Sequence, residues 1–263
     1  MTSAYKPNFA LAAYTLCRRE IVRFYRQKSR MIGVIASPLV FWYLIGSGLG
    51  TSFRNTGAPA VANYLEYFFP GTVVLIILFS AIFSTISIIE DRREGFLQSV
   101  IVAPVSRGSI AMGKIMGGTI LSMLQAAILL LLAPFIGLHL SIYSLFLIVG
   151  MLFIISFGLT GLGFIIAWRM ESTQGFHAIM NLFLVPLWLM SGALFPPSGA
   201  AGWLGTVMLV NPLTYGVEGL RAILYMNADL SGTFVTTIPL SFVIVTAFSL
   251  VMFGVATWTV NRK

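Results

Sequence analysis

The sequence predicts an all-α integral membrane protein. It should have six transmembrane helices, an N-terminal amphipathic interfacial helix, a short cytoplasmic helix after the second span, and an external re-entrant segment before the last. Three observations carry this. Of 263 residues, 58% are apolar and only 9% charged, whereas a soluble globular domain carries roughly 25% charged residues to cover its surface. The apolar residues gather into runs long enough to cross a bilayer, which takes about 20 residues of helix. Lys and Arg fall almost entirely on one side of those runs. Lipid must be part of the solvent, and the chain reads as a single transmembrane domain over residues 1–263.

Six stretches meet the length requirement: Met31–Gly50, Phe68–Ile89, Ile115–Ile136, Ile142–Ala167, Ala178–Phe195 and Ile238–Val260. They must be helical, because no lipid-exposed backbone group can stay unpaired. None contains Asp, Glu, Lys or Arg. They divide the chain into a tail of residues 1–30 and a bundle of residues 31–260. Trp203–Tyr215 is apolar but too short, and Asn211-Pro212 interrupts it, so it reads as re-entrant or interfacial.

Direction follows from the basic residues. The tail holds Lys6, Arg18, Arg19, Arg23, Arg26, Lys28 and Arg30, and the loop after the second span holds Arg92, Arg93 and Arg107, with Lys114 at its far edge. Arg169 follows the fourth span, and Arg262 and Lys263 end the sequence; Arg54 and Arg221 fall on the other side. Basic residues are retained in the cytoplasm. Residues 1–30, 90–108, 168–177 and the C-terminus are therefore expected inside a bacterial inner membrane, and 51–67 and 196–237 outside. The same bias accounts for the net charge of +8 without nucleic acid. The basic first 30 residues lack a short apolar core ahead of a small-residue cleavage site, so no cleaved signal is expected.

Residues 8–30 read as an amphipathic helix. Ala10, Tyr14, Cys17, Ile21 and Phe24 recur at three- and four-residue steps, while Arg19, Arg23, Arg26 and Arg30 line the opposite face. Such a helix lies in the membrane surface with its arginines near anionic headgroups. It is either a topogenic anchor alone or a platform beside a cytoplasmic partner. Further on, Glu90, Asp91, Arg92, Arg93 and Glu94 end the second span. After Gly95, the residues Phe96, Leu97, Val100 and Ile101 form one helical face, and Pro104 stops the helix. An apolar face in the cytoplasm needs a cover: the membrane surface, neighbouring loops, or a partner's groove.

Several function classes fall away. Gly108-Ser109-Ile110-Ala111-Met112-Gly113-Lys114-Ile115 nearly spells a phosphate-binding loop. Ile115 stands where the Mg²⁺-binding Ser or Thr belongs, however, and no buried strand precedes Gly108. The glycines instead suit close helix packing, as do Gly46 with Gly50 and Gly113 with Gly117. A single cysteine, Cys17, allows no intramolecular disulfide and no cysteine-based metal site. His139 and His177 sit at segment ends without acidic or thiol neighbours. No nucleophile, base and orienting acid are grouped, so no catalytic, cofactor-binding or metal site is expected. The spans also lack the ionisable relays of ion-driven carriers; Gln125 and Asn181 are their largest uncharged polar groups. Energy for transport would come from another chain. Phe41, Trp42, Tyr43, Phe79, Phe83 and Trp188 face lipid or pack; any that line a route suit an amphipathic or lipid-like cargo. In the external stretch, after Pro196-Pro197 and Trp203, Pro212 can open a helix at no hydrogen-bond cost. Glu218 and Arg221, three apart, can pair on one of its faces.

These features resemble the membrane-subunit (permease) family of type-2 ABC exporters, which includes drug, polysaccharide and nodulation-factor exporters. The resemblance covers essentially the whole chain. Its most specific pieces are Gly95-Phe96-Leu97-Gln98 leading to Ala103-Pro104-Val105-Ser106-Arg107 with Lys114 beyond, and Asn211-Pro212-Leu213-Thr214-Tyr215 followed by Glu218, Gly219, Leu220 and Arg221. Phe96 departs from the Thr that such proteins often carry. The resemblance implies two permease subunits, expected to be a homodimer, each resting on a separate nucleotide-binding ATPase subunit that holds ATP and Mg. It implies that Glu90, Asp91, Arg92, Arg93, Glu94, Gly95, Phe96, Leu97, Val100 and Pro104 form a coupling helix and its approach, with the N-terminal helix beside it. It also implies an outer gate that includes Asn211, Pro212, Tyr215, Glu218 and Arg221. The cargo would be hydrophobic, lipid-linked or drug-like. The alternative is a membrane scaffold or assembly subunit that binds partners and moves nothing.

Overall fold

An apolar chain that must pair its own backbone groups in lipid folds as helices. The computed structural model describes residues 8–53, 64–138, 140–196, 200–226 and 236–262, and among these it contains helices and no strand. Lys6, Arg54, His139, Pro197 and Lys263 lie outside the described residues.

The N-terminal segment is two helices rather than one. Helix α1 runs Phe9–Arg26, capped by Asn8, whose side chain accepts from the Leu11 amide at 3.2 Å. Gln27 breaks it, and α2 (Lys28–Phe53) begins at once, so Arg30 belongs to α2; its side chain is not among those described. Helix α3 (Tyr64–Arg93) does not end where its charges begin but carries them as its last turn. Gly95, at φ 78°, turns the chain into α4 (Phe96–Val102), a left-handed conformation that only glycine adopts cheaply. Helix α4 stops where Ala103, extended, precedes Pro104.

Helix α5 (Arg107–Leu130) is capped by Ser106 and starts earlier than its apolar run. Pro134 takes the expected end of that span into a short 3₁₀ turn, Ala133–Ile136. There follow α6 (Ile142–Arg169), α7 (Thr173–Leu189), α8 (Gly202–Val210), α9 (Pro212–Leu224) and α10 (Ile238–Asn261). The segment expected to be re-entrant is thus a helix pair, α8 and α9, joined at Asn211.

Among the described residues five helices are long and apolar enough to cross a membrane: Met31–Leu49 within α2, then α3, α5, α6 and α10. The fifth expected span, Ala178–Phe195, is displaced. Helix α7 starts at Thr173, ahead of Ala178, and stops at Leu189, after which the chain turns through Gly192 at φ 77°. Its 17 residues reach about 25 Å at 1.5 Å per residue, somewhat under the hydrocarbon thickness of about 30 Å.

Helix α3 is the axis of the molecule. Phe68, Phe69, Val73, Ile76, Ile77 and Ile89 are wholly buried on it, and α2, α5, α6, α7 and α9 pack around it. Lipid offers no hydrophobic reward for hiding an apolar face, so close approach of small residues does much of the packing. A Cβ on Gly118 would lie 2.6 Å from both Ser84 Oγ and Thr160 Cγ2. Gly113 and Gly117 work as a pair, but toward α1: a Cβ there would meet Leu16 Cβ and Glu20 Cβ, each at 2.7 Å. Gln125 accepts from the buried Ser80 hydroxyl at 2.8 Å, joining α5 to α3. Asn181 lies on the exposed side of α7.

This contact makes a first prediction. Gly117→Leu should lift α1 off α5 and cost about 1–3 kcal/mol, as overpacking does. A lower melting temperature in detergent would report it. Gly33→Leu, with nothing within 4 Å of its Cβ, should melt like the native chain.

Candidate functional site

Charges are scarce here, and the fold gathers them at the two ends of α3. At its C-terminal end Asp91 is fully buried. Arg19 forks onto it, Nη1 to Oδ2 at 2.8 Å and Nη2 to Oδ1 at 2.7 Å. Arg23 Nη1 reaches Oδ1 at 2.5 Å, and the buried Lys114 ammonium donates to Oδ2. Lys114 also donates to Glu20 Oε1 at 2.5 Å. The second nitrogen of Arg23 holds Glu90 at 2.9 Å and Glu94 at 3.3 Å. Ion pairs out of water persist when each charge is answered this closely.

The sequence builds this site through α1. Glu20 shares a buried face with Ala13, Leu16 and Phe24. Gly113 and Gly117 let that face come down onto α5, within reach of Lys114. The helix is consequently rotated from the expected pose. Arg19 and Arg23 point at carboxylates rather than headgroups; Arg26 stays exposed, beside a stripe of Leu11, Tyr14, Arg18, Val22 and Tyr25. Burial by itself lowers the Arg19 pKa, but the carboxylates of Asp91, Glu20 and Glu94 more than offset that and hold it above its ordinary value. The half-buried Cys17 thiol is pushed up, first by burial and then by the Glu20 charge. Less of it is thiolate at neutral pH, so alkylation of Cys17 should be slower than that of a cysteine placed at exposed Ser99.

The other loop residues have local duties as well. Arg92 donates to the Met170 carbonyl at 2.9 Å and to the Trp168 carbonyl, and Arg93 donates to Glu171 O at 3.0 Å. Arg107 donates to Val260 O at 2.9 Å. The C-terminal ends of α6 and α10 therefore receive basic partners, as helix C-termini favour.

Helix α4 divides differently from the expected apolar face. Leu97 is buried in the core, and Phe96 and Val100 are half-buried against it. Leu97 is thereby removed from the expected docking face, because packing under α4 claims it. The Arg19 guanidinium carbon lies 3.6 Å from the Phe96 ring centroid. What α4 and its exit turn outward are Gln98, Ser99, Ile101, Pro104 and Val102, the last 83% exposed. The phosphate-loop-like string lies inside α5, with its lysine on Glu20 and Asp91.

At the other end of α3, Arg221 and Glu218 pair one turn apart on α9, both buried. Arg221 also donates to Gly192 O at 3.0 Å and Tyr67 O at 3.3 Å, and its guanidinium sits 4.1 Å from the Tyr67 ring centroid. Tyr67 and Tyr64 hydroxyls donate to Gly192 O at 2.9 Å and Leu194 O at 2.7 Å. These bonds draw the chain out of helix beyond Leu189, the physical reason for the early end of α7. Asn211 accepts from the Leu213 amide at 3.0 Å and donates to Leu187 O at 2.6 Å, joining α9 to α7, with Pro212 in the first turn. Tyr215 donates to Leu209 O at 2.8 Å, closing α8 onto α9.

Between α2, α3 and α7 lies a cavity of about 230 Å³ lined by Ser37, Pro38, Phe41, Leu75, Phe79, Val185 and Trp188. Three of the six aromatic candidates meet there. Trp42 instead donates to Leu65 O at 3.0 Å, Tyr43 is exposed, and Phe83 packs 5.4 Å from His177. Among the described residues no group of three or more His, Cys, Asp or Glu side chains is arranged to hold a metal ion.

Glu20 escaped the reading of the sequence, and Lys114 entered it only as the edge of a loop. Glu20 is the one acid within a basic amphipathic segment, and Lys114 lies inside α5, whose other charge is Arg107 at its start. Each is the kind of isolated charge that a membrane chain keeps only with a partner.

The family model described as ABC-2 type transporter matches residues 12–225. The chain is 29% identical to the ycf38 transport permease of Cyanophora paradoxa, over 81% of this chain and 74% of that protein. It is 22% identical to the daunorubicin resistance ABC transporter permease protein DrrB1 of Streptomyces coeruleorubidus, over 82% and 76% of the two chains. It is also 22% identical to nodulation protein J of Rhizobium leguminosarum bv. trifolii, over 74% and 73%.

Proposed function

This chain belongs to the ABC-2 type transporter family, whose members matched here are transport permeases, and we propose that it is the membrane-spanning subunit of an ATP-driven exporter. A separate nucleotide-binding subunit, two copies per complex, holds ATP and Mg and does the hydrolysis. Two copies of this chain pair in a bacterial inner membrane with both termini in the cytoplasm, and α7 completes a set of six spans. The cargo is hydrophobic, lipid-linked or drug-like. It leaves from the cytoplasm or inner leaflet, and the α8–α9 pair with Asn211, Pro212, Tyr215, Glu218 and Arg221 forms the outer gate.

The observation that carries this reading is α4. It is a seven-residue helix outside the spans, anchored inward by Leu97, that presents Ile101 and Val102 to whatever lies below. Its end of the bundle also collects α1, Arg92, Arg107 and the end of α10, which supports one cytoplasmic face. The aromatic cavity suits an apolar cargo.

Extraction in mild detergent tests the reading. A P-loop ATPase should copurify and turn over ATP in a membrane-dependent way, while the isolated chain should neither bind nor hydrolyse ATP. Saturable micromolar ATP binding by the chain alone would overturn the division of labour, and an ATPase-free native complex would favour a scaffold. For orientation, single cysteines at Ser99 and Thr206 in a Cys17→Ser background should differ. An impermeant thiol reagent outside the inner membrane should label Thr206→Cys and spare Ser99→Cys.

A further inference from the structure

Among the described residues, Arg19 is the side chain that joins α1, the end of α3 and α4 at a single point. Its guanidinium edge forks onto Asp91 at 2.7 and 2.8 Å while its carbon lies 3.6 Å from the centroid of the Phe96 ring. Arg19 is one of three cations on Asp91, and the other two, Arg23 and Lys114, each serve a further carboxylate as well. What Arg19 adds is geometry: a planar group can fork onto a carboxylate and stack on an aromatic ring at once, and a lysine cannot do both together. Lys114 of α5 shares Oδ2 of that carboxylate with Arg19, and α1 rests on Gly113 and Gly117. A displacement of α4 therefore meets α1 first through Phe96 and Arg19.

We infer that Arg19 is the positioning residue that makes α1 follow α4, so that a push on the short helix moves the whole N-terminal helix with it. The inference rests on the reading of α4 as the element an ATPase pushes. It assigns Phe96 an inward role, holding a cation, in place of the expected docking role. Glu20, 3.4 Å from Arg19 Nη1, limits its sideways travel.

Paired spin labels read this directly. Place them at Arg18→Cys on α1 and Ser99→Cys on α4, both exposed, in a Cys17→Ser chain. Measure the distance in the full chain alone and in the complex, with and without vanadate trapping in Mg-ATP. The native pair should give one narrow distribution whose separation is unchanged on trapping. Arg19→Lys, which keeps the charge, should add a second, longer population while ATPase association and turnover persist. Phe96→Leu should do the same, and Phe96→Trp, which keeps an aromatic face, should restore the single distance. Arg26→Lys should leave the native distance. A single unchanged distance in Arg19→Lys, free and trapped, would overturn the inference. Should no ATPase associate with the native chain, the exporter reading fails instead, and the labels on the chain alone still decide whether Arg19 ties α4 to α1.

Discussion

Asp91→Ala is expected to destabilise the protein more than any other single change in the first charge cluster, by about 3–5 kcal/mol, the usual cost of removing one partner from a buried ion pair. Three cations converge on this carboxylate, and Lys114 and Asp91 are both almost fully buried. Deleting the acid leaves the buried Lys114 with Glu20 alone and strips Arg19 of its forked partner, while Arg23 keeps Glu90 and Glu94. Lys114→Met should cost less, because Asp91 keeps both arginines and methionine fills a similar volume. The order matters as much as the size: thermal unfolding in detergent should rank Asp91→Ala well below Lys114→Met, with Asp91→Asn between. Equal melting of Asp91→Ala and the native chain would show that the cluster holds nothing together.

The second large effect separates the two sides of α4. Val102→Asp puts a charge on the outward surface, where truncation or charging of a well-placed contact costs 2 kcal/mol or more, roughly 30-fold in affinity. It should abolish copurification of the ATPase while the melting temperature of the isolated chain stays native. Leu97→Ala should do the reverse in kind: about 2–5 kcal/mol of stability lost to a core cavity, with the outward surface still present. If Val102→Asp retains the ATPase fully, α4 is not where the partner sits.

Much of the fold could be read in advance because lipid enforces a simple rule. Runs of about 20 apolar residues must be helices, and α2, α6 and α10 end within a few residues of where their apolar runs do. The departures share a cause. Helix α3 continues past Ile89 because Glu90 and Asp91 meet Arg19 and Arg23, residues 67 and 72 positions away for the pairs Arg23–Glu90 and Arg19–Asp91. Helix α7 stops at Leu189 because Tyr64, Tyr67 and Arg221, distant in sequence, claim the carbonyls beyond it. Local patterning cannot register such partners. The same limit explains α1: its hydrophobic period pointed one way, and the reach of Glu20 to Lys114 turned it another. In the candidate site, the residue types around Glu90–Pro104 and Asn211–Arg221 were legible as charged and capping elements. Which of them faced inward was not, since that depends on where Gly113 and Gly117 let another helix land.

The long sequence separations in the first cluster bear on the order of events during synthesis. Lys114 lies 94 positions after Glu20, so α1 leaves the ribosome long before its binding site exists. Until α3 and α5 have both been inserted, Arg19, Arg23 and Glu20 have no buried partners, and water and headgroups must solvate them. The first helix made is therefore the last able to dock. Its seating on α5 marks the moment at which that end of the bundle closes, and a chain halted before Lys114 would display α1 as an unattached basic helix.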